Sequence, residues 1–324
     1  MSAGGITFPR VRNIALSAAL LRLFYRLLAT LLLCLVLSIL SEQFLSIGNI
    51  LNVLRQASLL FFIASGLTLV LLTAGLDLSV GANVGLSACL AGTAIKATGL
   101  PLLGAAIGLG SGAAIGLLNG LMVTTLRIPS FIATYGMLWV LHGVAYSYMA
   151  GQAVYGFPRG FRQIGTGHVA GIPIPVLLML AILLAGATFL RRTTWGQQIY
   201  AIGANAAAAR LSGVPVARRL LLVYITCGAM AGLASLVFLA RLNSAEADIG
   251  DALTLPAIAA ALIGGTSLFG GVGTLAGSLL GALTLTIVLN GMNLLAIDAS
   301  FQPLVTGVIV ILAVLLDMRL RRSE

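Results

Sequence analysis

Charge is what this 324-residue chain has least of. Asp, Glu, Lys and Arg make up 8% of it, and there are eight acids and two histidines in all. With 60% hydrophobic residues and a mean hydropathy of +1.10, too few polar side chains remain to cover a soluble globule of this length. The composition excludes a water-soluble enzyme and implies an integral membrane protein.

The shortage extends to reactive groups. Cys34, Cys89 and Cys227 lie in apolar stretches with no cysteine or histidine close by, so neither disulfide nor metal spacing is present, and they read as small packing residues. His142 and His168 are far apart and stand in no metal-spaced cluster; His142 reads as a polar group within a helix bundle. Paired carboxylates are missing from the apolar segments, which argues against a membrane hydrolase. The glycines from Gly108 to Gly116 and around Gly270 lack the Lys and Ser or Thr of a nucleotide-binding loop, so the chain has no phosphate cradle of its own. We therefore expect no catalytic, cofactor or metal site. The net charge of +10 does not point to nucleic acid, because the basic residues gather at the ends of apolar runs and are not interleaved with aromatics.

What the chain does have is apolar length. A helix needs about 20 residues to cross the hydrocarbon core. Breaks at charges, prolines and glycine-rich turns divide the sequence into about ten such spans: 27–41, 53–74, 78–98, 101–125, 129–149, 172–190, 220–240, 252–269, 272–290 and 303–317. The alternating ten-residue segments of a membrane barrel are absent. The expected fold is an all-α polytopic transmembrane helix bundle. The opening stretch to Arg26 is basic and lacks a small-residue cleavage pattern, so the first hydrophobic segment reads as a retained helix. Residues 1–26 form an expected cytoplasmic segment, 27–317 the transmembrane domain and 318–324 a cytoplasmic tail. With the amino terminus inside, thirteen of the eighteen basic residues fall in inside segments. Only Arg55, Lys96, Arg159, Arg162 and Arg241 lie at outside ends, the asymmetry of positive-inside topology. Both termini are then cytoplasmic. The glycine-rich pairs around Asp77 and Gly270 are the places where a broken or re-entrant helix would replace a full crossing.

Glycine is plentiful at 39 residues and falls inside spans, as in "GAAIGLGSGAAIGLLNG" from Gly104 to Gly120, where small residues let helix backbones approach in lipid. Two long connections stand out. Ala150 to Gly171, outside by charge, is either a docking loop for an external partner or a solvated loop at the bundle mouth. Arg191 to Arg219 is the long interior loop. Within it Asn205 can cap a short alanine-rich helix ending near Leu211, Gly213 can supply a left-handed turn, and Pro215 prevents continuation. So short a helix invites docking by a soluble partner.

The acid in "LTAGLDLSVGANVGLS" needs a reason to be there. Asp77 or Ser79 can cap the next helix at its positive end. Alternatively, an ionisable group near membrane depth marks a pathway or gate, with Gly75 and Gly81 shaping the turn.

The segment "TLVLLTAGLDLSVGANVGLSA" resembles the signature of permease subunits of ribose-type bacterial ABC sugar importers, with Ala74 and Leu76 in place of the usual first Gly and the Ile of that run. The resemblance continues through "GLLNGLMVTTLRIPSFIATYGML", "AIGANAAAARLSGVPV" and "AIAAALIGGTSLFGGVGTLAGSLLGAL", four ordered blocks over roughly Leu51 to Asp317. It implies a multi-pass permease of the bacterial inner membrane that forms half of a dimeric pore with a second permease subunit, the same or different. An ABC ATPase subunit would dock inside, and a periplasmic or external sugar-binding protein would deliver a monosaccharide outside. Asn205, Ala208, Arg210, Leu211 and Gly213 then belong to the element that couples to the ATPase, while Gly75, Asp77, Ser79 and Gly81 form the gate or helix-cap turn. An autonomous ion-coupled secondary sugar transporter is the alternative from another class; a passive channel lacks an obvious ring of filter residues.

In a variant lacking the native cysteines, a cysteine at position 207 should react with an impermeant maleimide only from the cytoplasmic face. Labelling from outside intact cells would overturn the charge-based topology.

Overall fold

The computed structural model describes residues 26–322. The expected segment 1–26 thus lies outside the described residues except for Arg26, as do the last two residues of the tail. The architecture is helical. Among the described residues, six helices are long and apolar enough to cross a membrane: α2 (Ile47–Leu72), α3 (Val80–Thr98), α4 (Pro101–Thr124), α7 (Ile174–Arg192), α10 (Val216–Leu242) and α12 (Leu275–Leu294). α1 (Arg26–Leu40) and α11 (Thr254–Ile263) are shorter. α5 (Ser130–Met149) has the length, but Tyr135, Trp139, His142 and Tyr146 lower its hydropathy. α13 (Gln302–Arg322) closes the chain.

α2 is the pillar of the bundle. Every residue from Ala57 to Leu72 is buried, which is how a helix that is apolar on all sides is accommodated. Phe61, Phe62 and Leu67 join Tyr224 of α10 and Leu285 of α12 in the main core. α10 packs against this pillar and joins α4 along a glycine seam. Gly108, Gly112 and Gly116 recur every fourth residue on one face of α4 and meet Gly228 and Gly232 of α10, so that a Cβ at Gly112 would lie 2.5 Å from the Gly228 carbonyl oxygen and 2.8 Å from Gly232 Cα. The close approach expected of the glycine-rich span is realised here.

One expected span is corrected. Residues 252–269 do not form a continuous crossing, because α11 has only ten residues and Gly264 and Gly265, the latter at φ +83°, end it. Before it the chain runs irregularly beside α3: Ala245 packs at Gly92, Ala247 at Gly85 and Gly250 at Gly81. The eleven rises from Gly81 to Gly92 of α3 cover about 16 Å. The missing Cβ atoms of Gly81 and Gly85 admit a second backbone there, and Thr254 Oγ1 accepts the N–H of Gly81 at 3.1 Å.

The connections collect at two ends. At one lie β1 (Val154–Tyr155), α6 (Arg159–Thr166), the hairpin of β2 (His168–Val169) with β3 (Ile172–Pro173), and β4 (Ser244–Ala245), with Val154 paired antiparallel to Ala245. The 150–171 connection is therefore ordered; Lys96 Nζ donates to the Gly156 carbonyl at 3.1 Å. Near the same end Asp298 accepts from the Ser300 N–H and hydroxyl, which hold its carboxyl below the usual carboxylate range. At the opposite end lie the 73–79 turn, the 264–274 turn, α8 (Thr194–Ala204) and α9 (Ala206–Leu211).

Substituting Gly112 by Leu should overpack the seam at a cost of about 1–3 kcal/mol and lower the melting temperature of the purified protein. Gly110, with no atom near its Cβ position, should accept Leu without loss. Equal melting temperatures for the two variants would refute the seam.

Candidate functional site: the turns beneath α8

When α2 ends, the backbone leaves the helix for seven residues inside the bundle. Two of its N–H groups are taken up by side chains of a neighbouring helix: Ser130 Oγ accepts from Leu76 N at 3.2 Å, and Thr134 Oγ1 from Leu78 N at 3.1 Å. Asp77 is 2% exposed. Its Oδ1 accepts from the Ser79 N–H at 2.9 Å and the Ser79 hydroxyl at 2.7 Å, and Asn119 Nδ2 of α4 donates to Asp77 Oδ2 at 3.3 Å and to Ser79 Oγ at 2.7 Å. The capping expectation is corrected in detail. Ser79 occupies the N-cap position of α3, yet its side chain makes no capping bond, and the Gly81 N–H goes to Thr254 instead. Asp77 closes a local turn on the N–H of Ser79. Gly75 lies against Tyr224, whose Oη would be 2.9 Å from a Cβ there.

The second turn answers the first. Gly264 and Gly265 end α11, Ser267 N donates to the Val272 carbonyl at 2.9 Å, and Gly271 N donates to the Leu72 carbonyl at 2.9 Å. Thr68 of α2 and Ser278 of α12 share a hydrogen bond of 2.6 Å behind them. Arg26 Nη1 donates to the Gly264 carbonyl at 2.9 Å.

α8 lies directly on this junction. The 191–219 stretch is helical for most of its length, where only the alanine-rich helix was expected. Thr193 caps α8 by accepting from the Gly196 N–H at 3.0 Å. Tyr200 Oη donates to the Gly273 carbonyl at 2.8 Å, and Gly203 sits so close that a Cβ would collide with the Leu72 carbonyl oxygen and lie 2.5 Å from Gly271 N. Asn205 then caps α9, its Oδ1 accepting from Ala208 N at 2.9 Å, and Gly213 takes φ +83° after Ser212. This is the geometry that the local chemistry predicted. Ala209 packs on Ile202 and Val216, whereas Asn205, Ala208, Arg210 and Gly213 are exposed and Leu211 is 91% exposed. The sequence-predicted residues thus fall at one end of the bundle. α9 does not touch the Asp77 turn; α8 and Leu72–Gly271 lie between them.

A second cluster went unread. His142 Nε2 of α5 donates to the carboxylate of Asp251, the two side chains being 16% and 40% exposed. His142 stands in an exposed ladder on one face of α5 with Phe131, Tyr135, Trp139 and Tyr146, whose successive ring centroids are 5.9–6.5 Å apart. The helical spacing of these aromatics was visible in the sequence; the pairing with Asp251, 109 residues away, was not.

A bundle of apolar helices with irregular, internally satisfied turns is the build of a multi-pass membrane transport protein. The comparisons with known proteins give the class. Residues 49–314 match the family described as branched-chain amino acid transport system / permease component, and the chain belongs to that family. Among its relatives, it is 42% identical over 295 residues to the ribose import permease protein RbsC of Escherichia coli (strain K12), covering 90% of this chain and 92% of that one. It is 38% identical over 289 residues to the ribose import permease protein RbsC of Bacillus subtilis (strain 168), covering 89% and 90%. It is 35% identical over 288 residues to the autoinducer 2 import system permease protein LsrC of Klebsiella pneumoniae, covering 89% and 84%. No solved structure matches. The chain is a multi-pass inner-membrane permease component of a binding-protein-dependent ABC import system, with ATP hydrolysis on a separate subunit.

Asp77→Ala should lower uptake about tenfold or more at equal membrane abundance, since each buried donor left unmade costs roughly 1–3 kcal/mol. Asp77→Asn, which opposes its amide to that of Asn119, should fall in between, and Asp77→Asn combined with Asn119→Asp should recover uptake to within about threefold of wild type. A double variant no better than Asp77→Asn alone would show that the charge at position 77 itself is needed.

Proposed function

We propose that this chain imports a ribose-like monosaccharide, with both termini and α8–α9 in the cytoplasm, and that α8–α9 carries the motion of the ATPase to the two turns. The observation that bears the coupling reading is the contact of α8 with both turns at once: Gly203 against Leu72 and Gly271, and Tyr200 bonded to Gly273. A push on α9 moves α8, and α8 has no side chain at Gly203 to yield before the backbone of α2 does. The basic residues Arg191, Arg192, Arg210 and Arg218 lie at this end, which favours its placement inside. About ten crossings follow if α1, α5, α11 with its preceding irregular segment, and α13 count with the six long apolar helices. The exposed part of α9, with Leu211 and Arg210 outward, suits the ATPase; the ordered 150–171 connection at the other end suits the sugar-binding protein.

The sugar class rests on the relatives named as ribose permeases. The path itself we place along α5. A hydrogen-bonded histidine and aspartate at membrane depth are costly against acyl chains and belong on a water-filled surface. Beside them the aromatic ladder offers apolar ring faces to a sugar's C–H groups while Asp251 and His142 offer hydrogen bonds. A second permease subunit, identical or not, would close the path from the other side.

Ala208→Asp with Arg210→Glu adds acids to α9 without touching a crossing. In proteoliposomes containing the ATPase and a ribose-loaded binding protein, ribose uptake and ribose-stimulated ATP hydrolysis should fall together, about tenfold, with normal insertion. Unchanged stimulation and unchanged ATPase pull-down would remove α9 from the mechanism. Wild-type complex that hydrolyses ATP normally but takes up no ribose would overturn the substrate and leave the coupling intact.

A further inference from the structure

Away from the two turns, a crevice of about 360 Å³ opens on the flank of the bundle between α7 and α10, floored by α2 and α12 and closed at its end by α8. Its walls are apolar: Ile182, Phe189, Trp195, Leu222, Met230 and Leu275. A sugar would find little to bond there. Arg219 is the one charged residue in the lining, and it is itself buried. Its guanidinium stacks over the Trp195 ring, 4.0 Å from the centroid, and its Nε donates to Gln198 Oε1. Its two Nη groups donate to no acceptor among the described residues. An arginine fixed in a rigid orientation, with two donors left over at the mouth of an apolar crevice, is a receptor for an anionic group that carries a hydrocarbon tail.

Length and charge identify the occupant. Along α10 the crevice runs from Arg219 to Met230, eleven helical rises or about 16 Å, which is half of the roughly 30 Å hydrocarbon thickness. It therefore reaches from the α8 end to the bilayer midplane, the depth of one leaflet. With the α8 end at the cytoplasmic surface, as proposed above, Trp195 falls at the level where an aromatic ring meets the headgroups. Arg218 precedes Arg219 on α10, and Arg191 and Arg192 end α7 near Phe189, all three exposed. Basic pockets between helices on that side of a membrane recognise anionic headgroups. We propose that this crevice is a binding site for one acyl chain of an anionic phospholipid, with Arg219 holding the phosphate. Because the lipid would touch α8 through Trp195 and α2 through Leu69, its occupancy would set how tightly α8 is held against the bundle.

The test uses the full-length protein in neutral detergent with Trp139→Phe, so that Trp195 is the single tryptophan, and phosphatidylglycerol or phosphatidylcholine with brominated acyl chains as quencher. Phosphatidylglycerol should quench Trp195 at a concentration at least threefold lower than phosphatidylcholine. Arg219→Gln should abolish that preference, and Thr226→Phe, which fills the crevice from α10 and leaves Arg219 in place, should weaken quenching by both lipids. Equal quenching by the two lipids in the Arg219 protein, a preference that survives Arg219→Gln, or full reversal by millimolar inorganic phosphate would each overturn the proposal. So would a detergent-stable dimer that shields Trp195 from both lipids, because a second copy would then cover the crevice.

Discussion

The structure depends on how it satisfies backbone that leaves the helix inside the bundle. A buried backbone group left unpaired is costly, so every such N–H and C=O needs a partner in the protein. At the end of α2 the Leu72 carbonyl, freed by the turn that follows, is taken by Gly271 N–H from the turn after α11. That bond joins two segments 199 positions apart in the chain (271 − 72) and makes each turn the other's support. The hydroxyls of Ser130 and Thr134 do the same for Leu76 and Leu78, and Thr254 for Gly81. Remove these partners and the irregular segments have no reason to hold their shape.

Around the joined turns the bundle divides into parts of different stiffness. α4 and α10 are packed backbone to backbone through the seam at Gly112, Gly116 and Gly228, and α10 meets α2 closely at Gly66, where a Cβ would lie 2.9 Å from Cys227 Cα. α11 is only ten residues long and is reached through turns and a short 3-10 segment lying beside α3. In the proposed coupling, the closely packed part is what α8 would push against, and the short helix and the two turns are what the push would move. Asp77 belongs to the second part. Its carboxylate draws Ser79 and Asn119 together, so it ties the start of α3 to α4 at the level of the turn.

Much of this was legible in the sequence because local chemistry determines it. The cap at Asn205, the left-handed Gly213 and the helix between them follow from residues a few positions apart, and the glycine spacing of α4 announces its close packing. The irregular turns were legible as glycine-rich breaks around Asp77 and Gly270. What escaped was whatever depends on distant partners. Thr254 displaces Ser79 as the acceptor for α3, the residues before α11 turn against Gly81 and Gly85, and α8 is a helix seated on glycines of its own and of a remote turn. His142 looked like an isolated polar residue because its partner, Asp251, lies far along the chain. The residues are present in the sequence, but no local periodicity records which of them meet.

The central claim is that α8–α9 and the 264–274 turn move as one body. Spin labels at Ala207 and Val272, and separately at Ala207 and Val140 on α5, introduced in a protein free of Cys34, Cys89 and Cys227, would report it by pulsed distance measurement in the complete transporter with and without ATP. The account predicts that the 207–272 distance stays constant while the 207–140 distance changes. A 207–272 distance that shifts with nucleotide while 207–140 holds would contradict it.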